Sequence, residues 1–223
     1  MKALLIVALC SSIAFCDRGF LIGNDDTFDT DKMVDKISKN QAVMSGIAKI
    51  VEEEAVDGGV DRMLALSIAK VESNFNPSAV SSSKAIGVMQ LKMDTAVKDI
   101  YVSVYQRSDL PNSDMLFEPR QNAKLGVMYL SLLQNKYFKD ISDKKSLEYC
   151  TIAAYNAGAG TVLRTFHTDK MEAVKIINTL TPDDVLRRLT QDMQSEQGKR
   201  YVIKVLDAKK NFEKEITLLG FGE

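Results

Sequence analysis

Glu72 is the residue of this chain whose type and position point most directly to chemistry. Asp61 has the side chain of a helix N-cap, and Leu64, Ala65, Ile68 and Val71 follow at the spacing of a helix that buries one face. At about 100° per residue, Glu72 falls one turn beyond Ile68 and two beyond Leu64, inside the apolar arc. Ser73, Asn74, Asn76 and Pro77 then end the helix, so Glu72 also occupies its last turn. Burial disfavours a charged carboxylate, and the partial negative charge of a helix C-terminus repels one, so a raised pKa is expected. A carboxylic acid still protonated near neutral pH is suited to protonating a glycosidic oxygen. Against this stands the plain expectation for any one of 30 acidic residues, a solvated side chain near a helix end, so the surroundings must decide.

The elements that must position Glu72 are helical almost throughout. Residues 32–54 carry Met33, Val34, Ile37, Met44, Ile47, Ile50 and Val51 with polar residues between them, and Gly58-Gly59 stops the run. Pro119 suits the first turn of a helix through Tyr129, Leu130 and Leu133, and Thr181-Pro182 reads as an N-cap followed by proline at the first helical position. Further helices are expected over residues 145–155, 160–166, 171–178 and 195–212. Alternating patterns are scarce: residues 86–91 suit a short extended piece, and residues 77–87 leave room for one small hairpin. The expected fold class is all-α, or α-dominated, in one domain over residues 32–223. Among 223 residues, 45% hydrophobic side chains can supply its core.

Ahead of that domain, Lys2 followed by an apolar stretch over residues 3–15 reads as an export signal, since about 20 residues are needed to span a bilayer as an ordinary helix. Residues 1–16 are the expected leader. Ile13-Ala14-Phe15-Cys16 resembles a bacterial lipobox, which would make Cys16 a lipidated first residue; Phe15 departs from the small residue that both a lipobox and a plain signal-peptidase site favour, so a soluble periplasmic product stays open beside the anchored one. Residues 17–31 hold aspartates, glycine and asparagine with little periodicity and read as a tether, reaching at most roughly 50 Å at about 3.3 Å per residue. Of the three cysteines, Cys10 lies in the leader, and Cys150 sits among Tyr149, Ile152, Ala153 and Ala154 as a packed core residue; there is no disulfide framework. A net charge of -1, with no basic block and no interleaved aromatics, argues against nucleic acid as a partner. No His, Cys and acidic cluster has ligand spacing, so no metal or other cofactor is expected.

The run Glu72-Ser73-Asn74-Phe75-Asn76-Pro77, then Ala79, Ser81 and Ser83, then Ala85-Ile86-Gly87-Val88-Met89-Gln90-Leu91, resembles the first motif of the lytic transglycosylases of the goose-type lysozyme-like group. Ala153-Ala154-Tyr155-Asn156-Ala157-Gly158-Ala159-Gly160 is similar to a second block of that family. Residues 176–185 and Arg200-Tyr201-Val202-Ile203-Lys204-Val205 resemble the C-terminal part of a membrane-bound subgroup, whose additional N-terminal domain is not expected within these 223 residues. The resemblance implies a lysozyme-like fold with a glycan groove, and Glu72 as the single acid/base.

It also gives each companion a role beside its ordinary one. Ser73 belongs to the motif and is expected to bind substrate, and Ser81 and Ser83, otherwise turn residues, match serines that bind substrate near the reacting sugar. Gln90 either reaches the glycan with its amide or caps a helix, and Met89 offers a polarizable wall to a sugar face. Tyr155 and Asn156 end a helix where Ala157-Gly158 allows a sharp turn toward the groove. Tyr201 is either a groove tyrosine near Glu72 or an amphipathic core tyrosine, whereas Tyr129 is read as packing.

Most glycosidases need two carboxylates across the scissile bond, and the motif supplies one. The implied reaction therefore uses groups of the substrate itself to cleave the β-1,4 bond between N-acetylmuramic acid and N-acetylglucosamine, leaving a 1,6-anhydromuramoyl end. Peptidoglycan strands would be the partner of a monomer in the bacterial envelope, held at the membrane if Cys16 is modified. Two other functions fit the same residues: a hydrolytic goose-type lysozyme, which needs a second acid, and a non-catalytic peptidoglycan-binding protein, which could dispense with Glu72.

Overall fold

The computed structural model describes residues 30–218, with side chains over residues 41–215, and the helical expectation is met across that span. Nine α-helices occur among the described residues: α1 (Thr30–Asp57), α2 (Arg62–Ser73), α3 (Lys98–Ser103), α4 (Pro119–Leu132), α5 (Lys144–Ala157), α6 (Ala159–Phe166), α7 (Lys170–Thr179), α8 (Pro182–Gln191) and α9 (Glu196–Leu218). A π-turn at Met93–Val97 leads into α3, a 3-10 turn at Ser113–Phe117 precedes α4, and a second π-turn at Leu133–Tyr137 continues it. The leader, Cys16 and residues 17–29 of the expected tether lie outside the described residues. Among the described residues no helix is long and apolar enough to cross a membrane.

The helix starts have the side-chain chemistry that their sequences announce. Asp61 Oδ1 accepts from the Leu64 amide at 2.7 Å, and Thr181 Oγ1 accepts from the Asp184 amide at 3.2 Å with Pro182 at the first position of α8. Pro119 likewise opens α4, with Glu118 Oε2 accepting from the Gln121 amide at 3.0 Å.

α2 departs from expectation in one respect. The spacing of Leu64, Ala65 and Ile68 predicts one buried face, but every residue of α2 from Met63 to Ala69 is buried. α1 and α9 both pack against it, and a helix covered on several sides must be apolar around its circumference. Ser67 satisfies this condition by donating its hydroxyl to the Met63 carbonyl at 2.6 Å, which hides the polar group inside the helix. Around this central rod, α5 packs against α9, α6 and α8, and α4 packs against α1. Their inward side chains join one cluster that includes Ile68, Leu130, Ile152 and Val202. Cys150 is buried within it, and burial pushes its thiol far up, as befits a core residue rather than a nucleophile.

After α2 the expected hairpin is reduced to two isolated antiparallel bridges, Val80 with Ile86 and Ile86 with Leu91. Ile86 and Leu91 exchange both backbone hydrogen bonds at 3.0 Å, so residues 86–91 close into a tight turn instead of an extended strand.

Candidate active site

Glu72 lies in the last turn of the buried helix, half-buried, with Oε1 accepting from the Tyr201 hydroxyl of α9 at 2.8 Å. Burial raises its pKa to about 7; the Tyr201 hydrogen bond and the charge of Lys92 pull the other way and only partly offset it. Tyr201 is itself buried, and burial followed by the nearby Glu72 charge holds its phenol well above the ordinary range, as it does for Tyr155. Both tyrosines therefore remain neutral donors wherever Glu72 titrates.

The chain leaves α2 under strain. Asn74 (φ 55°) and Phe75 (φ 61°) are both left-handed. Asn tolerates that region as a C-cap, and its amide donates to the Lys70 carbonyl at 3.0 Å, but a bulky aromatic there is an outlier. Phe75 is held by its own burial, at 2% exposure. The double turn redirects the chain as it leaves the helix. There the Ser73 hydroxyl donates to the Val88 carbonyl at 2.7 Å and accepts from the Asn76 amide at 3.0 Å, splicing the helix end to the following loop.

Asn122, on α4, is the organiser that the sequence reading missed. Fully buried, its Oδ1 accepts from the Met89 amide at 2.8 Å, and its Nδ2 donates to the carbonyls of Ile86 at 2.9 Å and Leu116 at 2.8 Å. Gly87, at φ 79°, lies so close to it that a Cβ would collide with the Asn122 amide and the Leu116 carbonyl. A polar residue at an inward position of an otherwise apolar helix face was the only signal for it. From the other side, the Tyr155 hydroxyl of α5 donates to the Met89 carbonyl at 2.8 Å. The 87–89 segment is clamped at consecutive backbone groups by Asn122, Ser73 and Tyr155.

The remaining expected site residues divide by what their polar atoms are already doing. The Met89 side chain is fully buried, not a wall facing a sugar: it packs where Gly126 leaves space, and a Cβ on Gly126 would collide with its sulfur. Its contribution to the site is its backbone. Gln90, at φ 48°, spends its amide hydrogens inside the loop, on the carbonyls of Ala79 at 3.1 Å and Gly87 at 2.9 Å, and so acts as a brace. Ser81 Oγ accepts from the Ala85 amide at 2.9 Å and lies 3.1 Å from Ser83 Oγ, with Ser83 exposed, so both are turn residues whose paired hydroxyls sit at the loop surface. Asn156 makes no side-chain hydrogen bond among the described residues and is half-buried at the end of α5, just before Gly158 at φ 81°. Tyr201 has a core ring whose hydroxyl donates to Glu72. Tyr129 packs its ring against Tyr155, centroids 5.6 Å apart.

Comparison with known proteins adds a second line of observation. Residues 49–178 match the family model described as Transglycosylase SLT domain, a span that includes Glu72, the bridged loop, Asn122, Tyr155 and Asn156 and stops before Tyr201. The chain is 44% identical over 165 residues to membrane-bound lytic murein transglycosylase C of Yersinia pestis strain Pestoides F, and equally to that of Yersinia pseudotuberculosis serotype O:1b. Each alignment covers 74% of this chain and 46% of the relative, so the chain spans about half the length of the curated relatives it matches. Among solved structures, an inactive glutamate-to-glutamine mutant of lytic transglycosylase Slt from Pseudomonas aeruginosa superposes with a TM-score of 0.53 at 21% identity, covering 78% of this chain and 24% of that one, which supports the fold. With the family match extending over more than half its length, the chain belongs to the transglycosylase SLT domain family.

Proposed function

We propose that the protein is a peptidoglycan lytic transglycosylase with Glu72 as its single general acid/base. The observation that carries this reading is a half-buried carboxyl raised to about 7 by burial and held by one phenol. Near neutral pH a large share of Glu72 keeps its proton, and that proton goes to the oxygen leaving with N-acetylglucosamine as the β-1,4 bond breaks. The N-acetyl oxygen of the muramoyl residue stabilises the positive charge developing at C1. Now a carboxylate, Glu72 accepts the proton of the C6 hydroxyl while that oxygen bonds to C1. The acid is regenerated, a 1,6-anhydromuramoyl end is formed and no water is consumed. Intramolecular attack benefits from high effective concentration, so the protein need not hold an external nucleophile.

Tyr201 keeps the carboxyl oriented by donating to one oxygen and leaves the other for the substrate. Asn156 and the Ser81–Ser83 pair offer polar atoms to the glycan, and Ser73, Gln90 and the Met89 backbone hold the loop beneath it. The place of action would be the bacterial cell envelope, at the membrane if Cys16 carries lipid, with the protein acting as a monomer. Mass spectrometry of products from purified sacculi tests the reaction. Anhydromuramoyl ends support it, reducing muramic acid ends would indicate a hydrolase, and cleavage that persists in Glu72→Gln overturns the assignment of the acid.

A further inference from the structure

Tyr129 keeps an exposure that its place on α4 should deny it. Its neighbours one turn away in either direction, Leu125, Gly126, Leu132 and Leu133, are all buried, which puts Tyr129 in the middle of the inward face. Tyr129 itself is only half-buried. In a close-packed interior, a side chain on the inward face reaches solvent only where the packing opens, so an indentation meets α4 at this point. Its surroundings identify it. Gly126, one turn before Tyr129, packs directly on Met89. The Tyr129 ring lies against that of Tyr155, centroids 5.6 Å apart and planes at 59°, and the Tyr155 hydroxyl donates to the Met89 carbonyl at 2.8 Å. Ser73, adjacent to Glu72, donates to the Val88 carbonyl at 2.7 Å. Tyr129, Tyr155 and the end of α2 therefore gather around the same two loop residues, Val88 and Met89. There Tyr129, Tyr155 and Glu72 are each half-buried.

The hydroxyl at the end of this ring is unengaged. Among the described residues it makes no hydrogen bond, whereas Tyr155, Tyr201 and Tyr137 use theirs on Met89, Glu72 and Asp99. Nor is it one of the sealed polar atoms left without a partner, so it meets solvent through the opening. Tyr101 and Tyr149 also lack a hydroxyl partner, but both border open surface. Tyr101 stands edge-on to Tyr105, itself 42% exposed, and Tyr149 lies one turn from the exposed Lys145. Among the described tyrosines, Tyr129 alone joins a free hydroxyl to a ring contact with the cluster at Glu72. Burial, and after it the charge of Asp99, pushes this phenol up to about 12, so it remains a neutral donor wherever Glu72 titrates.

We infer, on the substrate proposed above, that the opening at Tyr129 is part of the Glu72 cleft and that Tyr129 is a further substrate-binding residue, its hydroxyl donating to a neutral oxygen of the bound glycan. A few placed polar groups in a largely apolar cleft are what fix a ligand's orientation.

The test is Tyr129→Phe, which keeps the ring on Tyr155 and removes only the oxygen. KM on peptidoglycan strands should rise roughly three- to tenfold, the size of one neutral hydrogen bond, with kcat, the alkaline limb of the pH–rate profile and the melting temperature unchanged. A tyrosine that only packs would leave KM where it is, and that result overturns the inference. So does a fall in kcat at constant KM, which would put the hydroxyl's effect on the acid and not on the glycan. A lowered melting temperature overturns it too, by revealing a partner within the fold. Strand binding without turnover separates Tyr129 from the reaction: Glu72→Gln should bind soluble strands roughly three- to tenfold more tightly than Glu72→Gln combined with Tyr129→Phe. Weaker binding by the double variant, with no anhydromuramoyl ends from wild type, upholds Tyr129 and sinks the proposed function. Equal binding by the two, with anhydromuramoyl ends formed, sinks Tyr129 alone.

Discussion

The two ends of α2 are built to opposite rules. At its N-terminus an acid sits where the helix dipole favours one: Asp61 caps the Leu64 amide, and Lys209 of α9 lies 3.6 Å from Asp61 and 2.7 Å from Glu148 of α5. At its C-terminus an acid sits where both the dipole and burial oppose it, and the chain leaves through two non-glycine residues in the left-handed region. One end stabilises the rod; the other uses that stability to keep Glu72 protonated. Energetic compromise confined to one end of an otherwise well-capped, fully packed helix is the pattern expected where function, not folding, chose the residues.

Glu72→Gln should separate the two roles most sharply. Loss of the proton is expected to cut turnover by about 10²–10⁴-fold or more, the range for a positioned general acid. Stability should move the other way. Because folding raises the Glu72 pKa from 4.5 to about 7, the native state holds the proton more tightly than the unfolded chain does. Native stability from this group is thus full below about pH 4.5 and is lost as pH rises through 7, by up to about 3 kcal/mol. An amide escapes this loss, so the variant should be more stable than wild type by about 1–3 kcal/mol at pH 8 and nearly equal at pH 4. Denaturant unfolding at the two pH values checks it; equal differences at both would mean that Glu72 is ordinarily solvated and that the two ends of α2 do not differ as described.

Asn122→Ala comes next. It strands the Met89 amide and the Leu116 carbonyl in the interior and leaves the Ile86 carbonyl with the Leu91 amide alone, at an expected cost of about 3 kcal/mol in unfolding free energy. Since the clamped loop is also bonded to Ser73 at the end of α2 and to Tyr155, activity should fall even at temperatures where the variant is folded. Unaltered kcat in a destabilised but native Asn122→Ala would show that α4 supports the core and not the catalytic end of α2.

Tyr201→Phe probes the same end more gently. Removing the donor takes stabilisation from the Glu72 carboxylate, so its pKa rises above 7 and the alkaline limb of the pH–rate profile moves to higher pH. A roughly tenfold loss at the optimum is expected from poorer orientation of the carboxyl. A downward displacement of the limb would contradict the assigned direction.

What the sequence disclosed, and what it withheld, follows the range of each interaction. Asp61, Thr181-Pro182 and Pro119 act on amides a few residues away, so the helix starts they mark were legible. Glu72, on a helix-terminal turn inside an apolar arc, was legible for the same reason. The all-round burial of α2 was not, because Ser67 looks polar until its hydroxyl is seen turned onto Met63. Asn122 was invisible because its partners lie up to 36 residues away, on a loop whose path depends on two left-handed residues that local rules disfavour. Met89 was read as ligand-facing from its type; packing against Gly126 turned it inward, a tertiary fact with no local signature.

Asp61→Ala, the smallest effect, examines the well-behaved end alone. Losing the cap should cost about 1 kcal/mol of stability, with a smaller share from the ion pair to Lys209, which keeps Glu148 as its nearer partner. Turnover per folded molecule and the position of the alkaline limb should stay where they are, since the residues holding Glu72 lie at the opposite end of α2. If the limb moves with Asp61, the first turn of the helix is coupled to the acid through the rod itself. The division between a stabilising end and a reactive end would then give way to a single unit extending from Lys209 to Tyr201, both of which α9 carries.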